Sequence, residues 1–344
     1  MKQYKSIDLA KFICALLIII LHTAPFSSYS KALTFGIRNI VTVFAVPLFF
    51  AISGFLFFKK LETVDVNERN KYVFNYLKRI VIMYLFWSAI YLIFVIIKWM
   101  RGGVTFYGVL EYVKDFFFEG SYQTIWFLPA LFGAILLIYL LNKKLSLKKI
   151  FIIACVVYVF TLLGSSYYGL TIKIPFLKSI YDVYYSFFDS VKNAVLFGFI
   201  YVLIGGIIAT SKRNNEKVVS NLIFTLIFGV LYAAEEFLIA YFNINHKGVD
   251  TIIFLVPFTF FALRLVLSIN LNLSEKVCTA FRKYSILMFL TQRIPLSIID
   301  MFFQNSLVAT NSILYFIVVL TATLLISYGV IFLSKKIKFL KLVY

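Results

Sequence analysis

The stretch SIDLAKFICALLIIILHT (residues 6–23) combines a long apolar run with an acidic, a basic and an imidazole side chain. Lys11 and His22 are eleven positions apart, and an α-helix completes almost three turns over that distance. The two side chains therefore share one face, about 16 Å apart along the axis. Asp8, fourteen positions before His22, falls near the same stripe. Because ionisable groups inside a bilayer are costly and mark function by default, we expect chemistry at Asp8, Lys11 and His22.

The composition of the whole chain is that of a membrane protein. Hydrophobic residues make up 62% of the sequence and charged residues 14%, and the mean hydropathy is +0.93. The net charge of +19 does not indicate nucleic-acid binding, because the lysines cluster in short segments between apolar runs. The cysteines and histidines have no metal-ligand spacing, so no metal site is expected. The first run lacks a small-residue cleavage site and is read as a span, not a signal peptide.

Apolar runs long enough to cross a bilayer recur from end to end and predict an all-α, polytopic membrane protein with about ten transmembrane helices. No repeat or soluble domain is visible, so residues 1–344 are expected to form a single transmembrane domain. The predicted spans are Ile7–Ala24, Ile37–Phe58, Ile80–Ile97, Ile125–Leu141, Ile150–Tyr168, Ala194–Thr210, Val218–Phe242, Thr251–Ile269, Ser285–Phe303 and Ser312–Leu333.

Lysine and arginine are concentrated in every second loop between these spans. One side of the membrane receives most of them, for example Lys59, Lys60, Lys143, Lys144, Lys276, Lys283, Lys335 and Lys336. The positive-inside rule then places both termini in the cytoplasm. Two outer loops, Trp99–Thr124 and Gly169–Asn193, are long and rich in aromatic residues, which favours amphipathic interfacial segments; a lid over a pore is the alternative.

Three further positions suggest either structure or ligand contact. Ser53-Gly54 in the second span permits close approach by a neighbouring helix or by a ligand. Lys78-Arg79 opens the third span; an arginine there is usually a topology anchor, but its guanidinium also matches a phosphate. Trp126, which begins the fourth span, is typical of an interfacial aromatic belt.

The most charged set lies in the later spans and consists of Glu235, Glu236, Arg264, Arg293 and Asp300. Opposite charges on neighbouring spans are expected to pair, because an isolated charge in hydrocarbon costs several kcal/mol. Asp300 follows Arg293 by seven positions, so the two share a helix face. A polar cavity for a substrate that carries a hydroxyl or an amine is the alternative.

In these segments the sequence resembles the acyltransferase 3 family of integral membrane acyltransferases. The family's first span carries an arginine or lysine, ten residues and then a histidine, which corresponds to Lys11 and His22. The segments Ser6–Phe12, Val46–Leu56, Lys78-Arg79 and Trp126–Leu128 also resemble the family's motifs in order. The resemblance extends over nearly the whole chain.

The resemblance implies an enzyme that moves an acyl group, usually acetyl, from cytoplasmic acyl-CoA to a hydroxyl of a cell-envelope glycan. No bound cofactor is implied, since acyl-CoA is a cosubstrate. His22 would be the base or acyl relay, and Lys11, on the same helix face, would bind or orient the reacting groups. Arg79 would contact the phosphates of CoA. Lys78, Ser53 and Trp126 complete the expected contacts with the cosubstrate.

Two departures from the family pattern affect these expectations. Lys11 replaces the commoner arginine and loses bidentate recognition. Many relatives end the ninth-span motif in Tyr-Leu-Leu-His-Pro, whereas this chain reads Phe289-Leu290-Thr291-Gln292-Arg293. A role for a second histidine is therefore in doubt.

A second resemblance, to the membrane half of VanT-type vancomycin-resistance serine racemases, involves Leu163–Leu170, Lys192–Gly198 and Glu235/Glu236 followed by Asp250 and Pro257. That half is thought to supply serine to a racemase domain. Racemisation is not expected here unless the chain belongs to a longer protein, because the sequence includes no racemase domain.

Three functions follow from these patterns. The first is an acyl-CoA-dependent O-acyltransferase of the bacterial cytoplasmic membrane. The second is a membrane module that translocates serine or another small substrate without acyl transfer. The third is a non-enzymatic export partner for an extracellular polysaccharide.

Overall fold

The computed structural model describes residues 4–211, 218–244, 247–248 and 250–344. Within these ranges the regular elements are all helical, which confirms the predicted fold class for that part of the chain. The α-helices are α1 (Lys5–Thr23), α2 (Lys31–Phe35), α3 (Ala45–Leu61), α4 (Arg69–Gly102), α5 (Phe106–Phe118), α6 (Phe127–Asn142), α7 (Leu147–Gly164), α8 (Tyr168–Thr171), α9 (Pro175–Tyr185), α10 (Phe199–Thr210), α11 (Val218–Tyr241), α12 (Leu255–Ser268), α13 (Glu275–Thr291), α14 (Arg293–Phe302), α15 (Leu307–Thr310) and α16 (Ser312–Leu333). π-Helical turns, Gly36–Val41 and Ala194–Gly198, precede α3 and α10.

Seven helical segments of the described chain are long and apolar enough to cross a membrane. They are Lys5–Thr23, Lys31–Leu61, Val66–Gly102, Leu147–Gly164, Val218–Tyr241, Glu275–Phe302 and Ser312–Leu333. Three shorter apolar helices, Phe127–Asn142, Ala194–Thr210 and Leu255–Ser268, coincide with the predicted fourth, sixth and eighth spans. The protein is therefore a multi-pass membrane protein, whereas the total of ten spans and the cytoplasmic termini stay predictions.

Helix ends differ most from the expected ones where polar residues continue a helix or a proline interrupts it. α4 extends the expected Ile80–Ile97 by a polar N-terminal segment. The expected ninth span begins ten residues early, at Glu275, where the Ser274 hydroxyl accepts a hydrogen bond from the Val277 N–H. It is then divided at Gln292, because Pro295 has no N–H to donate to the carbonyl four residues earlier.

The two long segments expected at the outer surface both contain helices. α5 begins after Thr105, whose hydroxyl accepts a hydrogen bond from the Gly108 N–H, and α9 begins with Pro175 at its first position. Gly120 ends the turn after α5 with a φ of +96°, and a Cβ there would lie 2.5 Å from the Cα of Trp126. A glycine is thus required where this segment turns back towards α6.

Backbone contacts divide the chain into two compact units. The first unit comprises Val46–Leu77 and Pro129–Asn270, and in it α10 packs against α7 and α12 while α12 also packs against α11. The second unit comprises residues 4–45, Lys78–Leu128 and Leu271–Tyr344, and in it α1, α13 and α16 pack against one another.

Within the first unit α3 and α10 approach through a reciprocal pair of glycines. A Cβ on Gly54 would lie 2.2 Å from the carbonyl oxygen of Val202, and a Cβ on Gly205 would lie 2.0 Å from that of Ala51. Each glycine therefore admits the backbone of the other helix, as small residues do between membrane helices. The sequence left two roles open for Ser53-Gly54, close approach by a helix or by a ligand. The contact at Gly54 is helix packing.

Candidate functional site

α1 carries the three residues that the sequence singled out, and its C-terminal end is fixed by local structure. Ala24 adopts the left-handed conformation (φ 45°) and donates its N–H to the Ile20 carbonyl, which ends the helix just after His22. The Ser312 hydroxyl then donates to the Pro25 carbonyl at 2.8 Å, so the following turn is tied to the start of α16. His22 is half-buried in the last turn of α1.

Asp8, near the other end of α1, forms a two-point ion pair with Arg282 of α13. The guanidinium donates from Nε to one carboxylate oxygen at 3.0 Å and from Nη2 to the other at 2.8 Å. Asp8 is only 5% exposed, and the neighbouring rings of Phe12 and Phe281 stack at 4.8 Å. Such a bidentate arrangement is both strong and directional, so it fixes the register of α1 against α13.

Lys11 lies beyond this pair on the same helix and is half-buried. The charges of Asp8, Arg282 and Arg79 all act on its ammonium group. The structure thus brings together Asp8, Lys11 and Arg79, which the sequence predicted separately, and adds Arg282. This is a strongly positive region, because Asp8 offsets one of three cations.

A basic cavity of about 580 Å³ opens beside this region in the second unit. Its lining comprises Arg79, Thr279, Arg282, Lys283, Ile286, Ile331, Ser334, Lys335, Lys341 and Tyr344. These lining residues provide five cationic side chains and no acidic side chain. Arginine and lysine around a concave site favour a ligand with several phosphate oxygens, since guanidinium and ammonium groups bind phosphate through charge-assisted hydrogen bonds.

The last residues of the chain form one wall of the basic cavity. Arg79 Nη2 donates to the main-chain oxygen of Tyr344 at 2.7 Å, and Trp87 Nε1 donates to that of Val343 at 3.0 Å. The hydroxyls of Tyr344 and Ser334 are 2.7 Å apart. Val343 and Tyr344 are buried as a result, so the tail is an ordered part of the site.

The other residues expected to contact a cosubstrate are placed less distinctively. Lys78 is exposed and precedes Arg79 on α4, and Trp126 is half-buried just before α6. Ser53 belongs to the first unit, where its hydroxyl donates to the Phe49 carbonyl of its own helix at 2.8 Å. Their predicted contacts with a cosubstrate stay predictions.

Glu235, in the first unit, accepts hydrogen bonds from three donors. Its carboxylate accepts from the Tyr167 hydroxyl at 2.6 Å and from the N–H groups of Ile253 and Phe254 at 2.8 and 2.9 Å. The last two bonds fix the segment that leads into α12. Burial and the hydrogen bond to Glu235 raise the pKa of Tyr167 above its ordinary value, so the phenol remains a donor.

The remaining charged candidates lie on three helices. Glu236 is buried in α11, and Arg264 of α12 lies 5.5 Å from the centroid of the Phe260 ring. Arg293 and Asp300 both belong to α14, and Asp300 accepts a hydrogen bond from the Tyr315 hydroxyl at 2.9 Å. Their role in binding a substrate stays a prediction.

Sequence analysis did not single out four of the residues that line the basic cavity: Arg282, Lys283, Lys335 and Lys341. They belong to the positive loops and tail that the topology rule already explains, so nothing in their pattern singled them out. A lysine that sets membrane topology and a lysine that lines a cavity look the same in the sequence. They differ only in where the folded structure places them.

The helical spans and the basic cavity define a polytopic membrane protein with a concave site lined by cations. The chain belongs to the acyltransferase 3 family, because the model of that family's acyltransferase domain matches residues 4–332. This match confirms the resemblance seen in the sequence. No solved structure matches the chain.

Curated relatives agree with the second resemblance. An amino-acid racemase of Enterococcus faecalis is 31% identical over 243 residues, which is 69% of this chain and 33% of the relative. Another amino-acid racemase of that organism is 25% identical over 336 residues, covering 97% of this chain and 47% of the relative. A serine/alanine racemase of Enterococcus gallinarum is 26% identical over 213 residues, or 62% and 30% of the two chains. The chain thus spans less than half the length of these relatives.

Proposed function

We propose that this protein is an O-acyltransferase of the bacterial cytoplasmic membrane that takes its acyl group from acyl-CoA. The observation that carries the proposal is the basic cavity, in which Arg79 and Arg282 are joined by Lys283, Lys335 and Lys341. Membership of the acyltransferase family supports the reaction type.

The cavity suits the nucleotide end of acyl-CoA, where the phosphates are concentrated. The reactive thioester lies at the other end of a long, flexible arm. α1 leads from Lys11, in the field of Arg79 and Arg282, to His22 about 16 Å further along the helix axis. A cosubstrate anchored at the cavity with its arm extended along α1 would bring the thioester towards the imidazole.

The proposed chemistry at His22 is general-base catalysis. The imidazole removes the proton from the acceptor hydroxyl, whose oxygen attacks the thioester carbonyl. The new C–O bond forms, the C–S bond breaks, and the proton passes from the imidazole to the departing CoA thiolate. A relay, in which the imidazole first accepts the acyl group, is the second form of the same proposal. The acceptor is a hydroxyl of a cell-envelope glycan or a similar molecule.

CoA titration tests the binding part of this proposal. Lys335→Ala/Lys341→Ala removes two cavity cations, and Lys336→Ala/Lys338→Ala removes two exposed neighbours with the same change in net charge. Each lost charge-assisted contact is expected to weaken CoA binding about tenfold, whereas the control pair should bind within about twofold of the parent. Equal losses in the two pairs would refute the assignment of the cavity.

A second comparison separates Arg79 from the other candidate arginine. Arg79→Ala should weaken CoA binding more than Arg293→Ala does, because only Arg79 lines the basic cavity. The same titration measures both variants, and equal or reversed losses would contradict the assignment.

A separate assay tests the catalytic step. His22→Ala should abolish acyl transfer while membrane insertion and CoA affinity stay near those of the parent. Normal acylation of the product by this variant would disprove the role of His22.

Translocation of a small amino acid is the second candidate function, and the relatives named amino-acid and serine/alanine racemases favour it. In this reading the chain moves the amino acid across the bilayer without acyl transfer. Purified protein in liposomes would then take up labelled serine in the absence of CoA. Uptake that requires neither CoA nor His22 would favour translocation over acyl transfer.

A further inference from the structure

A large apolar groove of about 1010 Å³ lies in the first unit, among α7, α10 and α12. Its apolar lining comprises Leu147, Phe151, Ile152, Ile204, Ile207, Val256, Pro257 and Phe260. A groove of this size among the apolar helices of a membrane protein suits an apolar chain, because lipid surrounds such helices.

The polar lining of the groove is gathered at one end. Ser146 and Lys148 lie at the start of α7, and Thr210 and Ser211 lie at the end of α10. The charge pattern of the sequence predicts that these two helix ends face the cytoplasm. The groove is therefore amphiphilic, with an apolar length and a polar head region.

The head region is electropositive for two independent reasons. Lys148 contributes a full charge to the lining. The N–H groups of the first turn of α7 point to the same end, and the Ser146 side chain forms no capping hydrogen bond to them. A negatively charged headgroup would satisfy both the ammonium group and these N–H donors.

We propose that this groove is a binding site for an anionic phospholipid. The phosphate lies against Lys148 and the first turn of α7, the Ser146 hydroxyl donates to it, and an acyl chain fills the apolar length beside Phe151 and Phe260. A zwitterionic lipid offers the same chains but no net charge to Lys148. The anionic lipids of a cytoplasmic leaflet are thus the preferred occupants.

Lipid titrations with the full-length protein in mild detergent, read by native mass spectrometry, test this site. The probes are phosphatidylglycerol and phosphatidylcholine with identical acyl chains. Phosphatidylglycerol should bind about tenfold more tightly than phosphatidylcholine, as expected when a full charge and a helix terminus both contribute. Equal affinities would overturn the proposal.

Two pairs of adjacent residues provide matched variants. Lys148→Glu should reduce phosphatidylglycerol affinity about tenfold, while Lys149→Glu, which changes an exposed lysine outside the lining, should change it less than about twofold. Ile152→Trp should obstruct the groove and weaken both lipids, whereas Ile153→Trp should weaken neither. Equal effects within either pair would overturn the proposal.

Thermal unfolding and elution as a single species in mild detergent serve as the folding control for all four variants, because neither measurement depends on the proposed binding of CoA. If Lys148→Glu fails this folding control, it is replaced by Lys148→Gln, which keeps a polar side chain and removes the charge. Retained preference for phosphatidylglycerol in Lys148→Gln would contradict the role of the charge. The result does not depend on whether the protein transfers acyl groups.

Discussion

Asp8 has a structural contact that its position in the sequence did not reveal. Its carboxylate is taken up by the two-point bond with Arg282, and the same pair lies beside Lys11 and the basic cavity. Removing Asp8 would leave Arg282 with an uncompensated charge next to further cations. A change there is expected to affect both stability and the proposed binding of CoA.

A double-mutant cycle tests the strength of this pair. Asp8→Asn should lower the free energy of unfolding by about 1–3 kcal/mol, less than a fully buried pair would lose because the arginine is half-exposed. Arg282→Gln should partly offset that loss in the double variant, since no unpaired guanidinium is then left. Thermal unfolding in detergent measures all three variants, and strictly additive effects would rule out the coupling.

Glu235 is the second residue for which hydrogen bonds suggest a measurable effect. Glu235→Ala would leave the Ile253 and Phe254 N–H groups without their acceptor and should cost about 2–4 kcal/mol, whereas Tyr167→Phe should cost about 1 kcal/mol. Tyr241→Phe, at a site 72% exposed, is the control with no expected loss. A Glu235→Ala protein with unchanged unfolding temperature would contradict the structural role.

The pH dependence of the Tyr167 contribution follows from its raised pKa. Tyr167 has a higher pKa in the folded state than in the unfolded state. Its contribution to folding stability therefore falls as the pH rises above its unfolded pKa, which is about 10 for tyrosine. The difference in stability between the parent and Tyr167→Phe should be constant from about pH 6 to 9 and shrink above about pH 10. Unfolding at matched pH values checks this, and a difference that grows above pH 10 would contradict it.

At the scale of elements, the glycine contact between α3 and α10 is the most restrictive packing feature of the first unit. Gly54→Ala and Gly205→Ala would each push a methyl group into the backbone of the partner helix and should cost about 1–3 kcal/mol. Gly329→Ala in α16 meets no atom within 4 Å and should be neutral or stabilising by up to about 1 kcal/mol. A Gly54→Ala protein that is as stable as Gly329→Ala would show that helix propensity, and not the contact, sets the effect.

The sequence predicted the helices better than their ends. Hydropathy locates the apolar centre of a span, so the existence of α1, α7, α11 and α16 followed directly from composition. Hydropathy does not detect a polar continuation such as the first three turns of α4, before Ile80. The interruption at Gln292 depends on Pro295 and on local hydrogen bonding, which hydropathy averages away.

The same limit applies to the candidate site. Lys11 and His22 were visible because ionisable groups are unusual in an apolar run, and Arg79 because it opens one. Lys283, Lys335 and Lys341 were not visible, since lysines are common in cytoplasmic loops. Only the packing of α13 and α16 with the folded tail gathers them around one cavity.

At the scale of the whole molecule, the distribution of lysines predicts orientation in the membrane. In a cysteine-free background, Ser27→Cys, after the first span, should react with a membrane-impermeant maleimide in intact cells. Lys144→Cys, after the fourth apolar segment, should react only after permeabilisation. Both positions are exposed, so a reversed pattern would contradict the cytoplasmic termini.

The clamped tail has a practical consequence for work on the purified protein. Because Trp87 and Arg79 hold the main chain of Val343 and Tyr344, any peptide that continues from Tyr344 would emerge beside the cationic recess. An acidic epitope placed there would act as a tethered competitor at high local concentration and mask nucleotide affinity.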